Sequence, residues 1–465
     1  MGIMSQKNKT RGLQIIIVGC GKVGRTLVEQ LSKEGHDITI VDKDAEKVQS
    51  ISSLYDVMGV TGNGASYSVQ MDAGIENADL IVAVTDSDEL NLLCCTVAKR
   101  VGDCAAIARV RTPDYSMEAG YLRDKLGLAM IINPEMEASR VAARILYAPT
   151  ALEVNAFAHG QAEMMKIKVP KSNMLAGMKI ARVGKEVDNI DKILICAVER
   201  GEEVYIPSGD FKIEAGDIVS FVASRTQARA FLQRIGFKTN QVKNCMIIGG
   251  GKAAYYLARQ LLNMGIAVKI IENDRNRCEE LSVLLPKAVI INGNGTDEEL
   301  LQEEGITRAE AFVPLTGIDE ENIMLTLYAR RVSNAKVITK INRIAFREVI
   351  GSLDLGSVIY PRYITSEAII AYVRAKKDSM DSNIETLYHM FNSRVEAIEF
   401  RVYKESAVTG VPLMKLSLKK DLLISFINRN NDIIIPSGHD TIEVGDTVMI
   451  VTTHTGFNDL QDILK

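Results

Sequence analysis

The sequence predicts an α/β protein built from two Rossmann-like, doubly wound parallel sheets, each followed by a small α+β lobe. Three observations predict it. Glycine-rich turns stand at IVGCGKVG (17–24) and IIGGGKAA (247–254), nearly half the chain apart. Each turn lies between a strand-like apolar run and a helix-like amphipathic run, the context that raises such a motif above chance. Matching landmarks then recur at a nearly constant offset: Thr61-Gly62-Asn63-Gly64 against Asn292-Gly293-Asn294-Gly295, 231 positions apart, and Pro134 against Pro361, 227 apart. A period this long reads as duplication of whole domains, not as a solenoid.

The elements follow in order. LQIIIV (13–18) is a strand, RTLVEQLSKEG (25–35) a helix and DITIVD (37–42) a second strand. DLIVAVT (79–85) and AAIARV (105–110) are further strands around a helix from about Asp88 to Arg100, and an amphipathic helix includes EASRVAARIL (137–146). Alternating β and α segments imply a parallel sheet covered on both faces. The second copy repeats the order through NCMIIGGGKAAYYLARQLLNMGIAVKIIEND (244–274), AFVPLT (311–316), KVITKINR (336–343) and YITSEAIIAYVRA (363–375). After each copy, IPSGDFKIEAGDIVSFV (206–222) and IPSGHDTIEVGDTVMIV (435–451) place Gly-Asp turns before short β-branched strands. The expected boundaries are 12–148 and 243–376 for the Rossmann-like domains, and 152–236 and 385–465 for the small lobes.

Composition is that of a folded soluble chain, 47% hydrophobic and 25% charged over 465 residues. A net charge of −4 leaves no excess of cations to displace counterions from a phosphate backbone, which argues against nucleic acid. The seven cysteines show no CxxC spacing, so zinc and disulfides are not expected and a reducing cytoplasm fits. Charged residues interrupt every apolar run short of a membrane span. MGIMSQKNKTRG (1–12) lacks the apolar core of a signal peptide and reads as a loose extension.

The glycine turns carry the chemistry. In Gly19-Cys20-Gly21-Lys22-Val23-Gly24 the first glycine allows the tight turn, the second lets a pyrophosphate approach the backbone, and the third lets the helix pack on the strand. The helix N-terminus offers free N–H groups to the phosphates. Asp42, 18 positions after Gly24, suits a ribose hydroxyl contact and would repel a 2′-phosphate, favouring NAD(H) or a plain adenine nucleotide over NADP(H). The second turn offers Gly249, Gly250, Gly251, Lys252 and Ala253, with Ala254 at the third glycine position and Glu272 as the acid. Thr85-Asp86 and Thr316-Gly317 follow the fourth strand of each copy, where either a ligand or the next helix N-terminus can claim them. Arg109 and Lys340 end matching strands and either reach a phosphate or stand solvated. Glu135 faces Arg362 across the repeat, so a ligand touching that position would meet opposite charges in the two copies.

Machinery for turnover is not visible. None of the five histidines, His36, His159, His389, His439 and His454, recurs between copies, and no GxSxG, HExxH or Walker-type pattern occurs. An NAD-dependent oxidoreductase would need a base over the nicotinamide, which the small lobes do not offer. No catalytic or metal-ligating residue is assigned.

GCGKVG with Asp42, then TGNG, TDSDELN, the ARV strand, NPEMEASRVAARIL and the IPSG…GD module together resemble the regulator-of-K⁺-conductance (RCK) family, over residues 12–465. Two such units in one chain are similar to the nucleotide-binding subunits of bacterial Trk potassium uptake systems. The resemblance implies a non-enzymatic, peripheral subunit on the cytoplasmic face of the plasma membrane. It would bind NAD(H) or ATP/ADP and gate a potassium-translocating membrane subunit of the TrkH or TrkG type. It also implies a homo-oligomer, four chains closing a ring of eight Rossmann lobes, with RVAARILYA (140–148) as one self-assembly face. The implied nucleotide contacts are Gly19, Cys20, Gly21, Lys22, Val23, Asp42, Thr85, Asp86 and Arg109, then Gly249, Gly250, Gly251, Lys252, Ala253, Glu272, Thr316 and Lys340. An RCK subunit of another channel or antiporter is the alternative within the family.

Overall fold

A computed structural model describes residues 12–187, 193–237, 239–342, 350, 353–377, 384–391 and 394–465. The extension at 1–11 and the last residue of KVITKINR lie outside the described residues, as does the side chain of His159.

Six strands form the first sheet: β1 (Gln14–Val18), β2 (Asp37–Asp42), β3 (Met58–Thr61), β4 (Leu80–Ala83), β5 (Ala105–Arg109) and β6 (Met130–Ile132), in the order β3-β2-β1-β4-β5-β6. All neighbours pair in parallel. Helices cover both faces, so β4 reads as the unbroken apolar run Leu-Ile-Val-Ala, buried throughout. The order reverses between β1 and β4, which opens a crevice at their carboxyl ends. The glycine turn leaves β1 at that point.

The small lobe is an antiparallel sheet of β7 (Glu153–Phe157), β8 (Ala162–Lys168), β9 (Ile193–Arg200), β10 (Glu203–Tyr205) and β11 (Ile218–Ser224), ordered β10-β9-β11-β8-β7. The second half repeats both sheets. β12 (Asn244–Ile248), β13 (Ala267–Glu272), β14 (Val289–Asn292), β15 (Ala311–Pro314), β16 (Lys336–Lys340) and β17 (Ser357–Ile359) run β14-β13-β12-β15-β16-β17. β18 (Ile384–Met390), β19 (Val395–Arg401), β20 (Leu422–Arg429), β21 (Asp432–Ile434) and β22 (Thr447–Thr452) run β18-β19-β22-β20-β21.

The Gly-Asp turns do what their residue types permit. Gly216 and Gly445 take φ of +95° and +96°, and Asp217 and Asp446 follow, each only 1% exposed. Each buried acid is held by a two-pronged guanidinium, Asp217 by Arg200 and Asp446 by Arg429, at 2.7–2.9 Å. The two antiparallel sheets share one core, in which Phe157, Met164 and Cys196 meet Phe426, Met449 and Val451. Polar groups at that seam are also matched: Glu399 accepts from Ala158 N at 2.7 Å, and Arg394 pairs with Glu199. All seven cysteines are free and buried.

By compactness the chain divides in two. Residues up to Pro134, with Arg362–Ser366, form one unit, and Glu135–Pro361 with Glu367–Lys465 form the other. The face RVAARILYA, expected to drive self-assembly, is largely consumed within the chain: Ala142, Ala143, Ile145, Leu146 and Ala148 are buried. Periodicity revealed an apolar face, but the chain supplies its own cover.

Candidate nucleotide sites

The first turn is held by its glycines. Gly19 takes φ of +111°, and a Cβ there would come within 2.9 Å of the Val84–Thr85 backbone. A Cβ on Gly24 would fall 1.9 Å from Gly19 O, so the helix Lys22–Lys33 starts against the turn with no room to spare. Gly21 differs: a Cβ there would meet nothing within 4 Å. It is the N-cap of that helix and its N-terminus has no side-chain cap, leaving donors facing open space. That combination suits a phosphate group. Gly251 repeats it, uncapped and with nothing within 4 Å.

A cavity of about 550 Å³ opens over the first turn, lined by Gly19, Gly21, Asp42, Thr85 and Asp86. Lys43, Lys47, Asn63, Gly64 and Ser87 also line it. Of the residues named from sequence, Cys20 and Val23 turn inward at 7% and 6% exposure and can offer a ligand only their backbone. Burial, with the Asp42 carboxylate nearby, pushes the Cys20 thiol up to about 12, so it stays protonated. Lys22 is exposed.

Asp42 ends β2 where a ribose contact was expected, and it also ties the turn. Its Oδ2 accepts from Cys20 N at 2.6 Å and its Oδ1 from Asp44 N at 3.0 Å. Glu272 does the same in the second half, accepting from Gly250 N at 2.5 Å and Asp274 N at 2.8 Å. Each acid positions the loop, and Asp42 also lines the cavity.

The threonines are pinned by a residue that sequence reasoning missed. Asn91, fully buried, accepts from Thr85 N and Oγ1 at 2.8 and 2.7 Å and donates to Thr85 O and Arg109 O at 3.1 and 2.9 Å. Asn322 repeats all four bonds with Thr316 and Lys340 O. The cap of the helix Asp88–Val101 is Ser87, whose Oγ accepts from Leu90 N. Thr85 is therefore not the capping residue. The signal that could have found Asn91 is its recurrence at Asn322, 231 positions on.

Arg109 is neither solvated nor directed only at the crevice. It is 8% exposed, donates to Thr85 O and lies 3.3 Å from Asp86 Oδ1. Lys340 Nζ donates to Leu315 O at 3.0 Å. In the second half Arg277, from the helix Arg275–Leu284, donates to Gly250 O at 2.7 Å. The chain position of Arg277 matches that of Lys47. Lys252 and Ala253 are partly exposed at the start of the helix Lys252–Asn263, and Ala254 is buried within it. Gly249 takes φ of +93°. Glu135 and Arg362 stand in the first turns of the helices Pro134–Tyr147 and Pro361–Lys377.

Comparison with known proteins decides the family. The TrkA-N domain model matches residues 15–134 and 245–361, and the TrkA-C domain model matches 164–236 and 397–465. The Trk system potassium uptake protein TrkA of Haemophilus influenzae is 32% identical over 441 residues, covering 94% of this chain and 95% of that one. A homologue in Archaeoglobus fulgidus is 31% identical over 453 residues, covering 97% and 100%.

The chain belongs to the TrkA family.

Its members are Trk system potassium uptake proteins, so this TrkA-family chain is a regulatory component of potassium uptake and not an enzyme, and the Trk system implies a membrane partner. Among the described residues no helix is long and apolar enough to cross a membrane. Among solved structures, the GsuK channel bound to NAD superposes with a TM-score of 0.63 at 18% identity, covering 96% of this chain and 78% of that one. The GsuK RCK domain gives 0.63 at 18%, covering 96% and 93%. These share the tandem fold.

Proposed function

We propose that the chain is the nucleotide-sensing subunit of a Trk potassium uptake system, binding NAD(H) or ATP/ADP at its two glycine turns and gating a membrane subunit of the TrkH or TrkG type. The observation that carries the reading is the open face of Gly21 beneath an uncapped helix N-terminus, in a cavity of about 550 Å³ that Asp42 also lines. GsuK, with the same fold, has been solved bound to NAD and to ADP. The contacts are those named from sequence, with Val23 acting through its backbone N–H and Cys20, whose N–H is held by Asp42, lining the turn with its backbone. Four chains would place eight Rossmann lobes in a ring on the cytoplasmic face of the membrane. Domain limits of 12–148, 152–236, 243–376 and 385–465 fit two lobe pairs per chain. A ligand gates only by binding two conformations unequally.

Calorimetric titration with NADH, NAD⁺, ATP and ADP tests this, repeated on Asp42→Ala and Glu272→Ala. Loss of one ligand's isotherm with each substitution is the expected result. Unchanged isotherms in both variants would leave the acids with only their loop-tying role and remove the reading's main support.

A further inference from the structure

Each parallel sheet hands on to its antiparallel sheet through one helix, Pro134–Tyr147 in the first half and Pro361–Lys377 in the second. The strands that receive these helices are in matching register. Ala156 pairs with Glu163 across β7 and β8, and His389 pairs with Glu396 across β18 and β19. The glutamate is common to both joints, and its surroundings are not.

At the second joint the charges close on one another. Arg374 donates to both oxygens of Glu396 at 3.2 and 3.3 Å. His389 lies between two acids, its Nε2 3.4 Å from Glu396 and its Nδ1 3.6 Å from Glu367. Glu367 also accepts from His389 N, and Glu396 from Gly456 N. Glu367, Arg374 and Glu396 are 9%, 3% and 1% exposed. Glu367 and Arg374 sit seven apart on the helix and so share a face. The neighbouring acid from β7, Glu153, is taken up by Lys166 at 2.6 Å and by Tyr388.

At the first joint the equivalent helix positions are Arg140 and Tyr147, at the same offset as the prolines, and Ala156 stands in place of the histidine. Arg140 pairs at the surface with Glu137. Tyr147 lies 4.1 Å beneath the Arg225 guanidinium. Glu163 has Arg225 at 3.9 Å. Burial raises the Glu163 carboxyl, against the weaker pull of Arg225 and Arg144. Burial pushes Glu396 the same way, yet its bonds with His389 and Arg374 hold it below the usual range.

We propose that Glu367, Arg374, His389 and Glu396 lock the second joint, and that the first joint is the compliant hinge at which changes of lobe angle are taken up. Removing one member of a buried pair strands its partner, so the lock resists opening in a way an exposed pair cannot. Only the part about ligand-driven angle changes rests on the nucleotide-gating reading.

Hydrogen exchange of the full-length chain tests it without ligand. Protection factors over 367–377 and 384–391 should exceed those over 140–157 by at least tenfold. Glu396→Gln and His389→Gln, both close in size to the originals, should lower protection at the second joint tenfold and leave the first unchanged. Tyr147→Arg combined with Ala156→His should raise protection at the first. Equal protection at the two joints, or Glu396→Gln and His389→Gln variants indistinguishable from the parent, would overturn the lock. Of the two joints, adding NADH or ATP should alter exchange at 140–157 alone. A bound nucleotide that loosened the second joint would also overturn it, whereas absence of binding would sink the gating reading and leave the ligand-free comparison decisive.

Discussion

Both glycine turns are tied to the acid that ends the second strand of their sheet, and the second turn is held from its neighbouring helix as well. In the first half Arg109 reaches up from β5 to Thr85 O, and the Cys20 side chain fills the space beneath the turn. In the second half Arg277 holds Gly250 O, and Leu281 packs so closely that a Cβ at position 250 would lie 2.7 Å from its Cδ1. Two of the groups that would meet a nucleotide keep their character, an open glycine at 21 and 251 and an acid at the end of the second strand, while Asp86 and Arg109 give way to Gly317 and Lys340. The bracing is free to drift because any group that satisfies the loop's buried polar atoms will serve, whereas those two groups have one geometry to meet.

That comparison can be broken most severely at the third glycine. Gly24→Ala places a methyl against Gly19 O, which should cost about 3 kcal/mol in urea unfolding and abolish binding at the first site. The reverse change, Ala254→Gly, should cost only about 1 kcal/mol, the helix propensity difference. A tolerated Gly24→Ala would mean that the first turn relaxes as the second already has.

Next come the buried asparagines. Asn91→Ala and Asn322→Ala each leave backbone groups unpaired, and each should lose about 2–3 kcal/mol. Values differing by more than about 1 kcal/mol would show that the two braces are not interchangeable.

A smaller effect separates the joints by pH. Burial opposes charge on His389, but Glu367 and Glu396 raise it from 6.5 to about 9. A raised histidine stabilises fully below its unfolded pKa and loses that contribution as pH climbs through the folded one. The stability gap between the parent and His389→Gln should therefore shrink by about 2 kcal/mol between pH 6.5 and pH 8.5. A gap independent of pH would mean that His389 is uncharged when folded.

The smallest expected change is at the paired cations. Arg277→Ala should cost about 1 kcal/mol, through the lost bond to Gly250 O. Lys47→Ala should leave the melting temperature unchanged, because its partner Asp44 is on the surface, while weakening ligand binding several-fold. Equal effects on melting would show that the two cations share one role.

Much of this was legible because it is local. Strand, turn, helix and acid follow one another in LQIIIVGCGKVG…DITIVD, and each element lies within a few residues of its expected limits. The Gly-Asp turns of the small lobes were equally plain. What could not be read depends on distant partners. TDSDELN looks like a capping sequence, and half of it is, but Asn91 turns inward to bonds that only the parallel register of β4 and β5 brings together. His389 failed to recur and so looked incidental, although Glu367 and Glu396 flank it from a helix and a strand, with Arg374 on Glu396. RVAARILYA displayed an apolar face without showing what would cover it.

The core shared by the two antiparallel sheets has one more consequence. In a pair of identical subunits every substitution is made twice, once on each side of the symmetry axis. Joining the halves in one chain removes that constraint, and the seam already records it. Arg394, just before β19, pairs with Glu199 on β9, while the corresponding places in the other half hold Gln161 and Asn428. The pair thereby joins the two halves in one sense only. Any closed assembly of such chains then alternates two kinds of lobe by inheritance, without having to break symmetry when a ligand arrives.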